Sequence, residues 1–544
     1  MDNSIVKNIF LSLAEYYSTY EHRRFTGSLS NVQHVQRQKL ASLLNLAEKT
    51  EYGSRFGLHA AMTWEEFSKK IPIVDYRDLA GLVTRQKMLG TPVISGSRCR
   101  YYQPTTGMNE YVKWIPFTDQ FLAEQEAAMS QILVEFKKEN WDIFKGRHFW
   151  SVPWYPPLVL EEMKRYGNGH KTDSFLKKKI KSLFMIVPET VSSIESYEGY
   201  CLANLSYLAS CDDLSLISVW DPAFFLNLID RLSTHREELA EILWNGAWGK
   251  NNGELGGMEC PESRRASRIL SGWDGKLTPD FTRSMWPRLC MISSWDTGSS
   301  KPWIRELLKL FPEIPFQAKG LWATEGVVTI PCEGRFPLAV TSHFYEFLDL
   351  ETNEIHPPWG LRKGQFVSPV ISTGSGLLRY IMRERIEVTG FLDQCPCFHY
   401  HGRNSGMDIA GERLNSWLAQ KVLDKISALF GINTVSFFAV PQEHSKESRP
   451  FYILLCGPGI DNSIVRTIAD SAENLLMEHL HYRLARELDQ LAPLRILSHP
   501  NPRQLYQKLT ADCGSATGNI EIGPLAVWQK RDIRPDEELC CITA

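Results

Sequence analysis

Three short segments carry residues whose types and spacing suit the handling of phosphate. The first is Thr105-Thr106-Gly107-Met108-Asn109-Glu110-Tyr111-Val112-Lys113, followed by Pro116-Phe117-Thr118. Hydroxyls on a glycine turn, with a lysine downstream, can wrap phosphate oxygens with backbone N–H groups and add a cation. The Gly-Lys-Ser/Thr ending of a Walker loop is absent, so an ordinary Thr-Gly turn stands as the plain alternative. In the second, Trp322-Ala323-Thr324-Glu325-Gly326, a carboxylate beside a hydroxyl can hold Mg2+ and phosphate oxygens; the alternative is a strand-to-turn junction. The third is Ser372-Thr373-Gly374-Ser375-Gly376, with Arg379-Tyr380, Arg383-Glu384 and Thr389-Gly390 close behind.

Other candidates are weaker. Cys395, Cys397, His399 and His401 alternate, so a strand would put all four on one face. A straight strand spreads such side chains ~7 Å apart, poorly matched to a tetrahedral metal, and a pocket-wall histidine acting as general base is the better reading. The Lys177-Lys178-Lys179-Ile180-Lys181 run can dock an acidic carrier protein or be a solvated helix face. Cys541-Ile542-Thr543-Ala544 formally fits a prenylation box without its second aliphatic residue. No Gly-x-Ser-x-Gly elbow and no His-x-x-x-Asp pair occurs, so a serine-hydrolase lacks its nucleophile. Trp150, Trp154 and Trp322 lie near the candidate segments, and aromatic walls suit an apolar or planar acyl group.

The elements that must position these residues mix both types. Residues 31–50 and 118–138, Phe224–Leu243, Ile304–Leu310 and Asp461 to about Leu488 read as helices, with Thr63-Trp64-Glu65-Glu66 as a capping box. Leu338–Leu348, Phe366–Ile371, Thr434–Val440, Phe451–Leu455, Leu494–Leu497 and Leu525–Trp528 read as strands, and Phe149–Pro157 as strand and loop. This predicts an α/β architecture. The polar stretch Gly402-Arg403-Asn404-Ser405-Gly406 predicts a boundary: a large domain over residues 1–402 and a small mobile α+β domain over 403–544. A formal charge of −3 in 544 residues, with no run of five like charges, gives no reason to expect nucleic acid or anionic membrane as partner. Met1–Tyr20 lacks a basic start and a cleavage site, no run of 18 apolar residues occurs, and the 12 cysteines are irregularly spaced. A cytoplasmic protein is expected.

In order and separation the three phosphate-type segments resemble those of the Gretchen Hagen family of auxin-responsive acyl-acid amido synthetases, in its bacterial branch. The resemblance runs from Glu51-Tyr52-Gly53 and Ile71-Pro72-Ile73-Val74-Asp75-Tyr76 to the C-terminal domain. It implies an acyl-adenylate-forming, firefly-luciferase-like α/β fold. It also implies an enzyme that activates a carboxylate with ATP and Mg2+, releases pyrophosphate, and passes the acyl group to an amine, usually of an amino acid. On this resemblance Thr105, Thr106, Gly107 and Lys113 contact the nucleotide, as do Thr324 and Glu325. Glu325 also holds Mg2+, and Tyr345, in Phe344-Tyr345-Glu346-Phe347, lies on the nucleotide side. Glu384 stands where the family has an aspartate for the ribose hydroxyls.

Three departures fall on nucleotide-handling positions. Met108 and Asn109 replace two hydroxyls, and methionine is a poor partner for a triphosphate. Arg383 replaces a glycine and should crowd its loop, while Glu521 falls where the family has a lysine that swings toward the adenylate. That last change turns attraction into repulsion. Together they predict amide-forming acyl transfer in specialised metabolism from a preactivated donor, an acyl carrier protein or coenzyme A thioester. Aminolysis of such a donor needs orientation, an oxyanion site and a base such as His399, with Thr324 and Glu325, but no ATP. One alternative is a conventional ATP- and Mg2+-dependent ligase; another is a noncatalytic partner protein.

Overall fold

The computed structural model describes residues 18–106, 112–165, 184–404, 406–442, 449–510, 522–528 and 541–542. Gly107, Met108, Asn109, the Lys177–Lys181 run, Ser405, Glu521 and Thr543-Ala544 lie outside the described residues. Strands β1 (Cys99–Thr106) and β2 (Val112–Thr118) pair antiparallel with Thr105 opposite Lys113. Helix Asp119–Glu139 follows at once, because Thr118 leaves its Oγ1 to accept the N–H of Phe121 as a cap.

Strands β3 (Arg147–Trp150), β4 (Leu214–Ser218), β5 (Met291–Ser294) and β6 (Phe316–Ala318) form a parallel sheet in that order. Every residue of β4 and β5 is buried, as parallel strands covered by helices require. Helices Tyr197–Ser210, Pro222–Thr234, Arg236–Asn245 and Lys301–Leu310 bury Tyr200, Phe225, Leu243 and Trp303 in the same core. A tight hairpin of β7 (Trp322–Ala323) and β8 (Gly326–Val327) leads into a largely antiparallel sheet. That sheet contains β9 (Phe344–Asp349), β10 (Ile355–His356), β11 (Phe366–Ser372), β12 (Tyr380–Ile381), β13 (Glu384–Leu392) and β14 (Cys395–Arg403). Its order is β10-β9-β11-β13-β14, with β12 on β11.

Beyond β15 (Gly406–Met407) and β16 (Leu414–Asn415), a second unit is built on β17 (Thr434–Val440), β18 (Phe451–Cys456), β19 (Arg495–Ser498), β20 (Leu525–Val527) and β21 (Cys541–Ile542). One face of its sheet packs Phe437 and Leu454 against helices Ser416–Phe430 and Asn462–Met477. The other face, with Phe438 and Trp528, joins the core of the parallel sheet. Arg503 spans the same contact, pairing with Asp230 and, at 3.0 Å, with Glu306.

Three expected elements are divided or shortened. The helix expected over Phe224–Leu243 is two helices, because His235 leaves helical geometry at φ −97° and ψ 12°. The helix expected from Asp461 to Leu488 breaks before Leu480, where His479 is extended. The strand expected over Leu338–Leu348 begins only at Phe344. Among the described residues no helix is long and apolar enough to cross a membrane.

Candidate active site

Lys113, Glu325 and Tyr380, one from each phosphate-type segment, meet in one triangle. Lys113 Nζ lies 3.2 Å from Glu325 Oε1 and 3.2 Å from the Tyr380 hydroxyl, which donates to the same Oε1 at 3.1 Å. Lys113 comes from β2, Glu325 from the two-residue turn Thr324-Glu325 between β7 and β8, and Tyr380 from the start of β12. The ammonium and carboxylate are largely withdrawn from water, at 21% and 12% side-chain exposure. Charge-assisted bonds in that setting are stronger than exposed ones. Glu325 Oε2 accepts no hydrogen bond from the described residues, which leaves it open to an incoming cation.

The turn carrying Glu325 stands on a buried support that sequence reasoning missed. His343 Nε2 accepts the Val327 N–H at 3.1 Å, so its hydrogen must sit on Nδ1, which donates to Glu124 Oε2 at 2.8 Å. The same oxygen accepts the Gly374 N–H at 2.9 Å. Burial pushes the Glu124 carboxyl up, but the His343 bond, Lys39 and the Gly374 N–H outweigh it and hold it below its ordinary value. Gly326 is fixed by the same packing: a Cβ there would come within 3.0 Å of His343 Nε2 and 2.9 Å of Ile371 Cδ1. No motif marked His343, which falls inside the strand expected over Leu338–Leu348 and lies just before β9.

Several expected site residues serve the scaffold instead. Tyr345 is fully buried, and its hydroxyl is shared between the carbonyls of Val327 at 2.7 Å and Ala339 at 3.0 Å. It therefore ties β9 beneath the turn and does not face a nucleotide. Its neighbour Glu346 is equally buried, taking two bonds from Arg379 at 2.8 and 3.1 Å and one from Trp64 Nε1 at 2.9 Å. In the glycine- and hydroxyl-rich run, Thr373 and Ser375 are buried and bonded to each other at 2.6 Å. A Cβ at Gly374 would clash with Gln120, so this run packs against a helix and offers no phosphate cradle.

Arg383 does not crowd its loop. Its backbone is left-handed, at φ +56°, a conformation that favours glycine. The guanidinium turns outward to Asp75 Oδ2 at 3.0 Å. Glu384 is buried and accepts from the Tyr400 hydroxyl at 2.9 Å, with Arg403 Nε 3.4 Å away. Thr105 is half-buried opposite Lys113.

The cysteine–histidine strand divides. Cys395 and Cys397 are core residues, while His399 is exposed and His401 bonds Glu387 at 2.9 Å. No contact joins His399 to Lys113, Glu325 or Tyr380; its ring meets His401 at 4.8 Å. Desolvation on the sheet and the adjacent His401 lower its pKa. Among the described residues no group of three or more His, Cys, Asp or Glu side chains is placed to hold a metal.

The profile of the GH3 family N-terminal domain matches residues 21–316, and that of the GH3 family central domain matches residues 336–403. Indole-3-acetic acid-amido synthetase GH3.15 of Arabidopsis thaliana is 23% identical over 416 residues, covering 69% of this chain and 68% of its own. Jasmonoyl–L-amino acid synthetase GH3.5 of Oryza sativa subsp. japonica is 22% identical over 431 residues, covering 68% and 70%. The solved structure of AtGH3.15 acyl acid amido synthetase in complex with 2,4-DB superposes with a TM-score of 0.77 over 94% of both chains, at 16% identity. That likeness establishes a shared mixed α/β fold, a large N-terminal part with a smaller C-terminal one. With its N-terminal domain profile alone matching more than half of its length, the chain belongs to the GH3 family.

Proposed function

We propose that this enzyme is an acyl-acid amido synthetase that uses ATP and Mg2+ to activate a carboxylic acid and joins it to an amine, in the first instance that of an amino acid. The observation that carries the reading is the Lys113–Glu325–Tyr380 triangle, which brings a cation, a carboxylate with one free oxygen and a hydroxyl to one point. ATP, when bound, supplies the leaving group that makes the carboxyl carbon reactive. Lys113 offsets charge on the polyphosphate, and Thr105, opposite it in the hairpin, and Thr106 add hydroxyls. Glu325 would hold Mg2+ through its second carboxylate oxygen, and Thr324 would lend its hydroxyl from the same turn. Glu384, preset by Tyr400 and Arg403, receives the ribose hydroxyls. Residues 403–544 form the smaller domain that closes over residues 1–402 and keeps water from the activated acyl group.

Acyl transfer from a preactivated thioester of coenzyme A or an acyl carrier protein is the second reading. Two of its supports, Met108–Asn109 and Glu521, lie outside the described residues; the remaining one weakens because Arg383 points to Asp75. The relatives named above are synthetases. The test is product formation followed by mass spectrometry, with a panel of free acids and amino acids plus ATP and Mg2+, against the same acids as thioesters without ATP. Amide from the free acids only with ATP supports the first reading; amide from thioesters alone overturns it.

A further inference from the structure

The carboxyl ends of β3–β6 hold a polar row that the site above leaves unused. Register places Trp150 beside Ser218, Ser218 beside Ser293 and Ser293 beside Gln317, so all four share one face of the sheet. Lys319, just past β6, folds back over that row: it is 1% exposed, and its Nζ donates to Ser218 Oγ at 2.6 Å. The ammonium lies 5.1 Å from the ring centroid of Trp150 and 4.8 Å from that of Trp220. Among the described residues no carboxylate pairs with it, and burial alone pushes its pKa down to about 7.

Its neighbours are also unsatisfied. Among the described residues Ser293 Oγ, Gln317 Oε1 and Trp322 Nε1 find no hydrogen-bond partner, although all three are buried. Each such atom costs on the order of 1–3 kcal/mol when left unpaired, and several gathered in one place point to a polar group that arrives from outside. Parallel sheets receive ligands at the carboxyl ends of their strands. Trp322 packs on Trp220 at 5.7 Å and stands three positions before Glu325, so the row adjoins the turn that carries the Mg2+ ligand. The covering rings of Trp150, Trp220 and Trp295 are only half-buried, and side chains commonly turn when a site fills.

We propose that Lys319, with Ser218, Ser293 and Gln317 beside it and Trp150 and Trp220 around it, is the specificity-determining residue of the acyl-acid site, selecting flat, apolar acids that carry a second carboxylate distal to the one activated. The inference rests on the ligase reading for its acid-activating half. The ammonium supplies two free N–H donors, and Ser293 Oγ–H and Trp322 Nε1–H supply two more, donors that match an anion, while Gln317 Oε1 can only accept and does not contact the carboxylate. The tryptophans match the flat body.

The test uses the full chain and paired acids, benzoate against benzene-1,3-dicarboxylate and phenylacetate against its ring-carboxylated analogue. Acid-dependent pyrophosphate exchange gives kcat/KM for each, and quenching of tryptophan fluorescence gives binding without turnover. The expected result is a preference for the dicarboxylate that falls by about 100-fold in Lys319→Met, with partial retention in Lys319→Arg, as loss of a charged hydrogen bond in a desolvated site dictates. Thermal unfolding checks the fold of each variant. Exchange that ignores the second carboxylate, or that Lys319→Met lowers equally for both acids of a pair, overturns the inference and leaves the ligase reading intact. Lys319-dependent quenching by dicarboxylates with no exchange from any acid supports the inference and overturns the ligase reading. Neither quenching nor exchange overturns both.

Discussion

Lys113 and Glu325 stand 212 positions apart in the chain and 3.2 Å apart in the fold. The contact binds the β1–β2 hairpin to the β7–β8 turn, and Tyr380 closes it by donating to the same carboxylate oxygen at 3.1 Å. A carboxylate held on one oxygen by two donors keeps a fixed direction for the other, as metal ligation requires. Tyr380→Phe removes one donor and keeps the ring. It should lower kcat about 10-fold with little change in melting temperature, the size expected for one hydrogen bond to a charged group. Steady-state kinetics beside a thermal melt decide this; equal losses in activity and stability would assign Tyr380 a structural role only.

The Glu124–His343 pair should carry stability more than chemistry. Both side chains are almost fully buried. Glu124→Gln should cost about 2 kcal/mol in a denaturant melt, as loss of a buried hydrogen bond to a charged group does. Because the folded carboxyl titrates below its ordinary value, the stabilisation is complete above the unfolded pKa and is lost as pH falls through the folded one. The stability gap between wild type and Glu124→Gln should therefore close on acidification from pH 5 downward, which melts across that range will show.

Lys319 gives the opposite sign. Its pKa near 7 in the fold lies below the roughly 10.4 of an unfolded lysine, so between those values the unfolded chain binds the extra proton. Wild-type stability should rise with pH by about 1.4 kcal/mol per unit across that window relative to Lys319→Met, and the two should run parallel below pH 7. Chemical denaturation at pH 6, 7, 8 and 9 tests it; parallel curves throughout would mean that the ammonium is charged in the fold.

Arg383 sits at φ +56°, where a side chain costs on the order of 1 kcal/mol, and recovers part of that through Asp75. Arg383→Gly exchanges the one for the other. Its unfolding free energy should stay within about 1 kcal/mol of wild type; a larger loss would make the Asp75 pair a main tie between the loop and helix Tyr76–Leu89.

Local chemistry was readable where local rules decide it. Thr63 and Glu66 form the expected capping box, with the Thr63 N–H donating to Glu66 at 2.9 Å, and Asp461 caps its helix through the Ser463 N–H. Lys113, Glu325 and Tyr380 were visible as types at telling intervals, although nothing in the intervals showed that they touch. Both faces of β9 are covered, so alternation along the strand cannot tell the site side from the core side at Tyr345. His343 and Lys319 carry no local signal for a related reason. Each takes its meaning from partners more than 100 positions away, Glu124 in one case and Ser218 in the other.

The most direct measurement is acid-dependent exchange of pyrophosphate into ATP by the full chain and by Glu325→Gln. Exchange in the wild type that requires both Mg2+ and a carboxylic acid, and that disappears in a folded Glu325→Gln, is the predicted result. A folded wild type that binds no ATP and exchanges no pyrophosphate with any acid, while forming amide from acyl thioesters, would contradict it.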